Sequence, residues 1–163
     1  MRTAYEEVYE LFFDRVINDK KFFLHGVVSP EEAQEIAYKR AKSLLLESIV
    51  MIMTFGDKDC EVDFVSNRDD LNEEFAFELS LVEKQLIADI MLQRYLEKDI
   101  TTRLNSLGTV FQDSDLKIYA PSNDVKSFNL SLKDLRVTNE KTINNYKKRD
   151  RNSYKVKTFN YNY

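Results

Sequence analysis

The sequence predicts a mainly α protein: a helical bundle of about four helices with a small β-hairpin and an extended C-terminal arm. Apolar residues recur at spacings of three and four along four long stretches. The 163 residues include three glycines and two prolines, which leaves few places for tight turns. Hydrophobic residues make up 43% and charged residues 32%, a globular balance rather than a disordered one.

The first helix is expected from about Ala4 to Asn18. Thr3 and Glu6 have capping-box spacing, and Tyr5, Val8, Leu11, Phe12, Val16 and Ile17 form its apolar stripe. Phe13 falls off that stripe and is a candidate subunit contact. The second helix starts at Ser29-Pro30-Glu31-Glu32, where Ser29 caps and Pro30 takes the first helical position. It runs to about Met53 with Ala33, Ile36, Ala37, Ala41, Leu44, Leu45, Ile49 and Ile52 inward, and Gly56 is its stop. Its second half is apolar almost all round, which predicts burial on several sides or by a partner.

Cys60, Val62 and Phe64 alternate with acids, as do Phe75, Phe77 and Leu79. The two runs predict a hairpin at about 60–79. A lone hairpin is marginal in water and needs a helix or a second subunit to lean on, so Val62, Phe64, Phe75 and Phe77 are further candidate subunit contacts.

The third helix is the stretch around which the chain is organised. Ser80 and Glu83 form a capping box, and Leu81, Val82, Leu86, Ile87, Ile90, Met91, Tyr95, Leu96, Ile100 and Leu104 make a face wide enough to touch neighbours on two sides. Its end is expected near Leu104 to Leu107, with Gly108 opening a loop. Ser122 caps the fourth helix, whose seam is Val125, Phe128, Leu132, Leu135, Asn139, Thr142 or Ile143, and Tyr146. Its last turns are polar and basic, so it is expected to leave the core there. The reading is one helical domain over 1–149 and a docking arm over 150–163.

Charge supports that division. The net charge is −4, but residues 147–163 hold six basic residues against one acid, which leaves −9 on residues 1–146. The basic cluster is Lys147, Lys148, Arg149, Arg151, Lys155 and Lys157. Among these lie Tyr154 and Val156, followed by Phe159, Tyr161 and Tyr163. Disordered tails are poor in such aromatics, so the arm is read as docking on a protein partner. A nucleic-acid reading uses the same basics on phosphate and the aromatics on bases.

Chemistry is thinly represented. The single His25 and single Cys60 lack any nucleophile signature. Asp57, Asp59, Glu61 and Asp63 alternate, but the sixth and twelfth positions of a calcium loop counted from Asp57 are Val62 and Arg68, not Gly and Glu. The glycines are isolated, so no phosphate loop is present, and one Cys with one His cannot make a zinc site. No catalytic residue, metal or cofactor is expected, and the chain is read as a non-enzyme. No apolar run approaches the roughly 20 residues of a membrane span. The acidic first turns lack a signal-peptide layout, and one cysteine fits a reducing, cytoplasmic origin.

From Leu79 to Asp150 the sequence resembles the small head–tail connector (adaptor or neck) proteins of tailed double-stranded-DNA bacteriophages. The resemblance is carried by a capped helix with the core IADIMLQRYLEKDI, by Asp115 before the run Leu116 to Ala120, and by a final helix ending in Tyr146 and basic residues. It implies a structural virion protein in a homo-oligomeric ring, commonly a dodecamer, between the portal protein and a tail-proximal neck protein. Such a ring extends the channel through which double-stranded DNA passes without sequence-specific binding. The implied location is the virion neck, after assembly in the host cytoplasm. The alternatives are an assembly chaperone or regulator absent from the virion, and a nucleic-acid-binding module using the basic tail.

Overall fold

The structure is a computed structural model describing residues 2–23, 28–56, 60–110 and 122–157; the side chains of 20–21, 99–110 and 122–125 lie outside the description. Its elements are β1 (Thr3–Ala4), α1 (Glu6–Val16), α2 (Lys20–Phe23), α3 (Pro30–Thr54), β2 (Arg68–Asp69), β3 (Glu74–Phe75), α4 (Leu81–Val110) and α5 (Ser122–Lys147). The chain is therefore mainly helical with a small antiparallel sheet, ordered β1-β3-β2.

α4 is the central helix and packs against α1, α3 and α5. Its wide apolar face makes this possible: Leu86, Ile87, Ala88, Ile90 and Met91 are all buried. Arg15 pairs with Asp89 at 2.8 Å and Lys84 with Glu7 at 2.6 Å, so two ion pairs border the α1–α4 contact. Across the α4–α5 contact, buried Asn139 donates to the Gln93 Oε1 at 2.9 Å, so two buried amides satisfy one another. Aromatic rings fill the space between α1, α2 and α4, with Phe22 5.2 Å from both Phe12 and Tyr95.

The second predicted helix is α3. Ser29 Oγ accepts from the Glu32 N–H at 3.2 Å, and Pro30 stands in the first turn. Gly56 follows with φ +76°, the left-handed conformation that ends many helices. Ile36 is half-buried, and Ser48 takes an inward position by donating to the Leu44 carbonyl at 2.7 Å. In the apolar second half, Val50 remains 45% exposed, so the monomer does not cover all of it.

Four expectations need correction. First, Thr3 does not cap α1. It lies in β1, paired with Phe75, and its Oγ1 accepts the Leu79 N–H at 2.8 Å. The N-cap is Tyr5, which has no side-chain cap, and Glu6 instead accepts from the Tyr38 hydroxyl at 3.1 Å. Second, the hairpin partner of Phe75 is Arg68, not the Cys60–Phe64 run. The Asp63 carboxylate accepts the N–H groups of Val65 and Ser66 at 2.8 and 2.9 Å, and such local bonds compete with a ladder. Third, α4 continues through Gly108 to Val110, since one glycine costs a long helix only about 1 kcal/mol. Fourth, the end of α5 stays in the core: Ile143 and Lys147 are buried.

Gly56 offers a direct test. A Cβ there would lie 2.9 Å from Asn144 Oδ1, in addition to the left-handed φ. Gly56→Ala is expected to cost about 1–2 kcal/mol and lower the melting temperature by roughly 5 °C, read by thermal circular dichroism.

Candidate interaction site at the C-terminal clasp

The chain leaves α5 at Lys147 and forms a short hairpin over residues 148–157. Arg149 and Val156 are bridge partners, and the Lys157 N–H donates to the Lys148 carbonyl at 2.9 Å. Asp150 shapes the turn by accepting the N–H and hydroxyl of Ser153, each at 2.7 Å. Tyr154 takes a left-handed φ of +55° to close it. This hairpin and the last residue of α5 hold the body at three places.

The strongest is Glu83. Its side chain is fully buried, at the first turn of α4. Ser80 N–H donates to Oε2 at 2.7 Å, and Ser80 Oγ accepts the Glu83 N–H at 3.3 Å, which completes the capping box. Tyr146 of α5 donates its hydroxyl to Oε1 at 2.6 Å. Arg151 of the clasp then grips both oxygens, Nε to Oε1 at 2.6 Å and Nη2 to Oε2 at 3.0 Å. The same guanidinium lies over the Phe77 ring at 5.2 Å and donates to the Glu78 carbonyl. Burial pushes the Glu83 carboxyl up, but Arg151, Tyr146 and the Ser80 N–H outweigh it and hold it below the usual glutamate range. The Glu83 bond in turn holds the Arg151 guanidinium above its ordinary value. Burial and the bond to Glu83 raise the Tyr146 hydroxyl, which stays a donor.

The second hold is Lys147. Its Nζ donates to the carbonyls of Met53 and Phe55 at 3.2 and 2.7 Å, capping the end of α3. Its stem is buried while the ammonium finds these carbonyls, which keeps the last turn of α5 in the core. The third is Glu61, which takes the Arg151 N–H at 2.8 Å and the Lys157 ammonium at 2.7 Å.

The six basic residues of the predicted cluster thus divide. Lys147, Arg151 and Lys157 are engaged within the molecule. Lys148, Arg149 and Lys155 are exposed with no acidic partner among the described residues. Of the predicted docking arm, Tyr154 is 39% and Val156 63% exposed, while Phe159, Tyr161 and Tyr163 lie outside the described residues. Of the predicted subunit contacts, Phe64 and Phe75 are fully buried in the monomer core and offer no surface to a second subunit. Their rings pack edge to face at 6.5 Å, and one folded sheet-and-helix corner consumes them. Val62 and Phe77 are half-buried, and Phe77 is roofed by Arg151. Phe13 is half-buried beside Tyr38, 5.5 Å ring to ring.

His25, Asp57 and Asp59 lie outside the described residues. Cys60 is half-buried, with Sγ 3.9 Å from the Ile52 carbonyl oxygen. Among the described residues no three His, Cys, Asp or Glu side chains group to hold a metal ion. No described helix is long and apolar enough to cross a membrane. No family model matches the chain, no curated protein matches it, and no solved structure matches it.

Sequence reasoning identified Glu83 only as a capping residue. Its link to Arg151 spans 68 positions and has no local signal.

Arg151→Ala strands a buried carboxylate, so a loss of about 3 kcal/mol is expected by urea unfolding at pH 7. The pH dependence has a definite sign. The folded Glu83 carboxyl sits below its unfolded range, so its stabilisation is present above the unfolded value and lost as the pH falls through the folded one. Glu83→Gln is therefore expected to be less stable at pH 7, with the gap to the parent narrowing towards pH 3.

Proposed function

We propose that this chain is a structural virion protein rather than an enzyme: one subunit of a ring between the portal and the tail of a tailed double-stranded-DNA phage. The observation that carries the reading is the clasp. A docking arm works best from a fixed base, because less freedom is then lost on binding. Arg151 on buried Glu83 and Lys157 on Glu61 supply that base, immediately before Thr158–Tyr163. The resemblance over Leu79–Asp150 supplies the identity of the assembly, with the portal and a tail-proximal neck protein as partners. The charge pattern is in keeping with it. A body carrying −9 over residues 1–146 does not grip phosphate, which suits a wall past which DNA slides.

The first test is quantitative mass spectrometry of purified particles, comparing peptides of this chain with those of the portal. A ratio near one is expected. Absence from particles that contain portal and tail proteins would overturn the reading in favour of an assembly factor. A second test removes Thr158–Tyr163. The body is expected to melt unchanged while heads and tails fail to join, seen by electron microscopy as separate particles. Normal tailed particles would reject the docking role of those residues.

A further inference from the structure

α5 packs on α4 through one side, where Leu132, Asn139 and Ile143 are buried. Its opposite side carries Lys126, Leu130, Lys133, Val137 and Lys141, all exposed, with Lys148 just past the helix end. The Lys148 N–H donates to the Asn144 carbonyl at 3.2 Å, which keeps it in helical register. The four lysines stand seven, eight and seven residues apart. Each step is close to two helical turns, so they fall within an arc of about 80° and run about 33 Å along the axis.

On a solvated helix face, acids three or four residues from lysines add stability. None of these four lysines has one. Asp134 and Glu140 border the arc, one on each side, but no lysine of the four has an acidic partner among the described residues. Arg136, off the arc, is by contrast paired with Glu97 at 2.7 Å. Residues 122–157 hold ten basic residues against four acids, which leaves −10 on the rest of the chain. The acidity of the body is therefore an average over two unlike parts.

We infer that the outer side of α5 binds double-stranded DNA through its phosphates, without reading sequence. A duplex carries one negative charge per about 1.7 Å, so about 20 phosphates accompany a line of about 33 Å, and each lysine set against one releases condensed counterions. A straight row of cations on a helix suits a stiff, straight polyanion. A single strand is held by aromatic rings on which its bases stack, and the arc carries none. A membrane surface offers phosphates too, but a helix that lies in it needs a broad apolar face. The buried apolar residues of α5 face α4, and only Leu130 and Val137 are left among the lysines. The acidic remainder of the chain repels phosphate, so DNA meets the molecule on this side. A channel that DNA passes without being held does not call for such a row, and the contact on α5 does not depend on the chain forming a ring.

The test is fluorescence anisotropy of the full chain with a labelled duplex of about 30 base pairs and mixed sequence, titrated with salt. Four phosphate contacts predict a slope of about −3.6 in log affinity against log salt, or roughly a 100-fold loss between about 50 and 200 mM. Lys133→Gln with Lys141→Gln is expected to bring the slope to about −1.8 with no change in melting temperature. Arg2→Gln with Lys39→Gln, two exposed cations elsewhere, is expected to leave the slope as it is. No binding at about 50 mM salt, a flat salt response, or an unchanged slope in the α5 variant would overturn the assignment. Tighter binding to a single strand of equal length, or equal affinity for phosphatidylserine vesicles, would overturn it as well. The particle ratio above is a separate measurement, so this inference and the ring reading fail separately.

Discussion

Glu83 sets the constraint on which the closure of this fold depends. A carboxylate removed from water costs several kcal/mol unless charge and hydrogen bonds replace the solvent. Here the replacements come from three places: the Ser80 backbone, Tyr146 near the end of α5, and Arg151 in the clasp. The carboxylate thereby brings together the start of α4, the finish of α5 and the returning chain. An apolar residue there would pack, but it would leave Arg151 and the Tyr146 hydroxyl without a common partner. The specificity of the arrangement lies in the bidentate geometry, which only a guanidinium supplies.

The neighbouring contacts extend the same logic. Lys147 closes α3 from below, and Glu61 receives both the backbone and the side chain of the clasp. A segment that leaves the bundle as non-helical chain is thus anchored on two carboxylates, Glu83 and Glu61, just beyond a helix end that Lys147 fixes. Exposed pairs contribute little, whereas a fully buried carboxylate makes its partner hard to release. The clasp is accordingly part of the body, and the residues beyond Lys157 begin at a defined point.

Two sets of cations stand out once the clasp is accounted for. One is the set it leaves unengaged, Lys148, Arg149 and Lys155. The other is the row of lysines on the outer side of α5, which Lys148 joins to the first. Both lie in residues 122–157, and the acids of the chain lie mostly before them.

The four long helices were legible in the chain alone, whereas the short α2 was not. Ser29 with Pro30, and Ser80 with Glu83, act through bonds three residues away, and the apolar stripes of α3 and α4 repeat within a turn. Such signals are complete within a few positions and do not need the rest of the molecule. Packing settled where polar groups with several possible partners would go. Thr3 could have capped α1, but the sheet offered it the Leu79 N–H. Phe64 and Phe75 could have faced a neighbour, but the monomer core enclosed them. Lys147 and Arg151 could have been a solvated basic run, but the end of α3 and a buried carboxylate were within reach. Those choices turn on distances between residues dozens of positions apart, which exist only once α1, α3, α4 and α5 have packed.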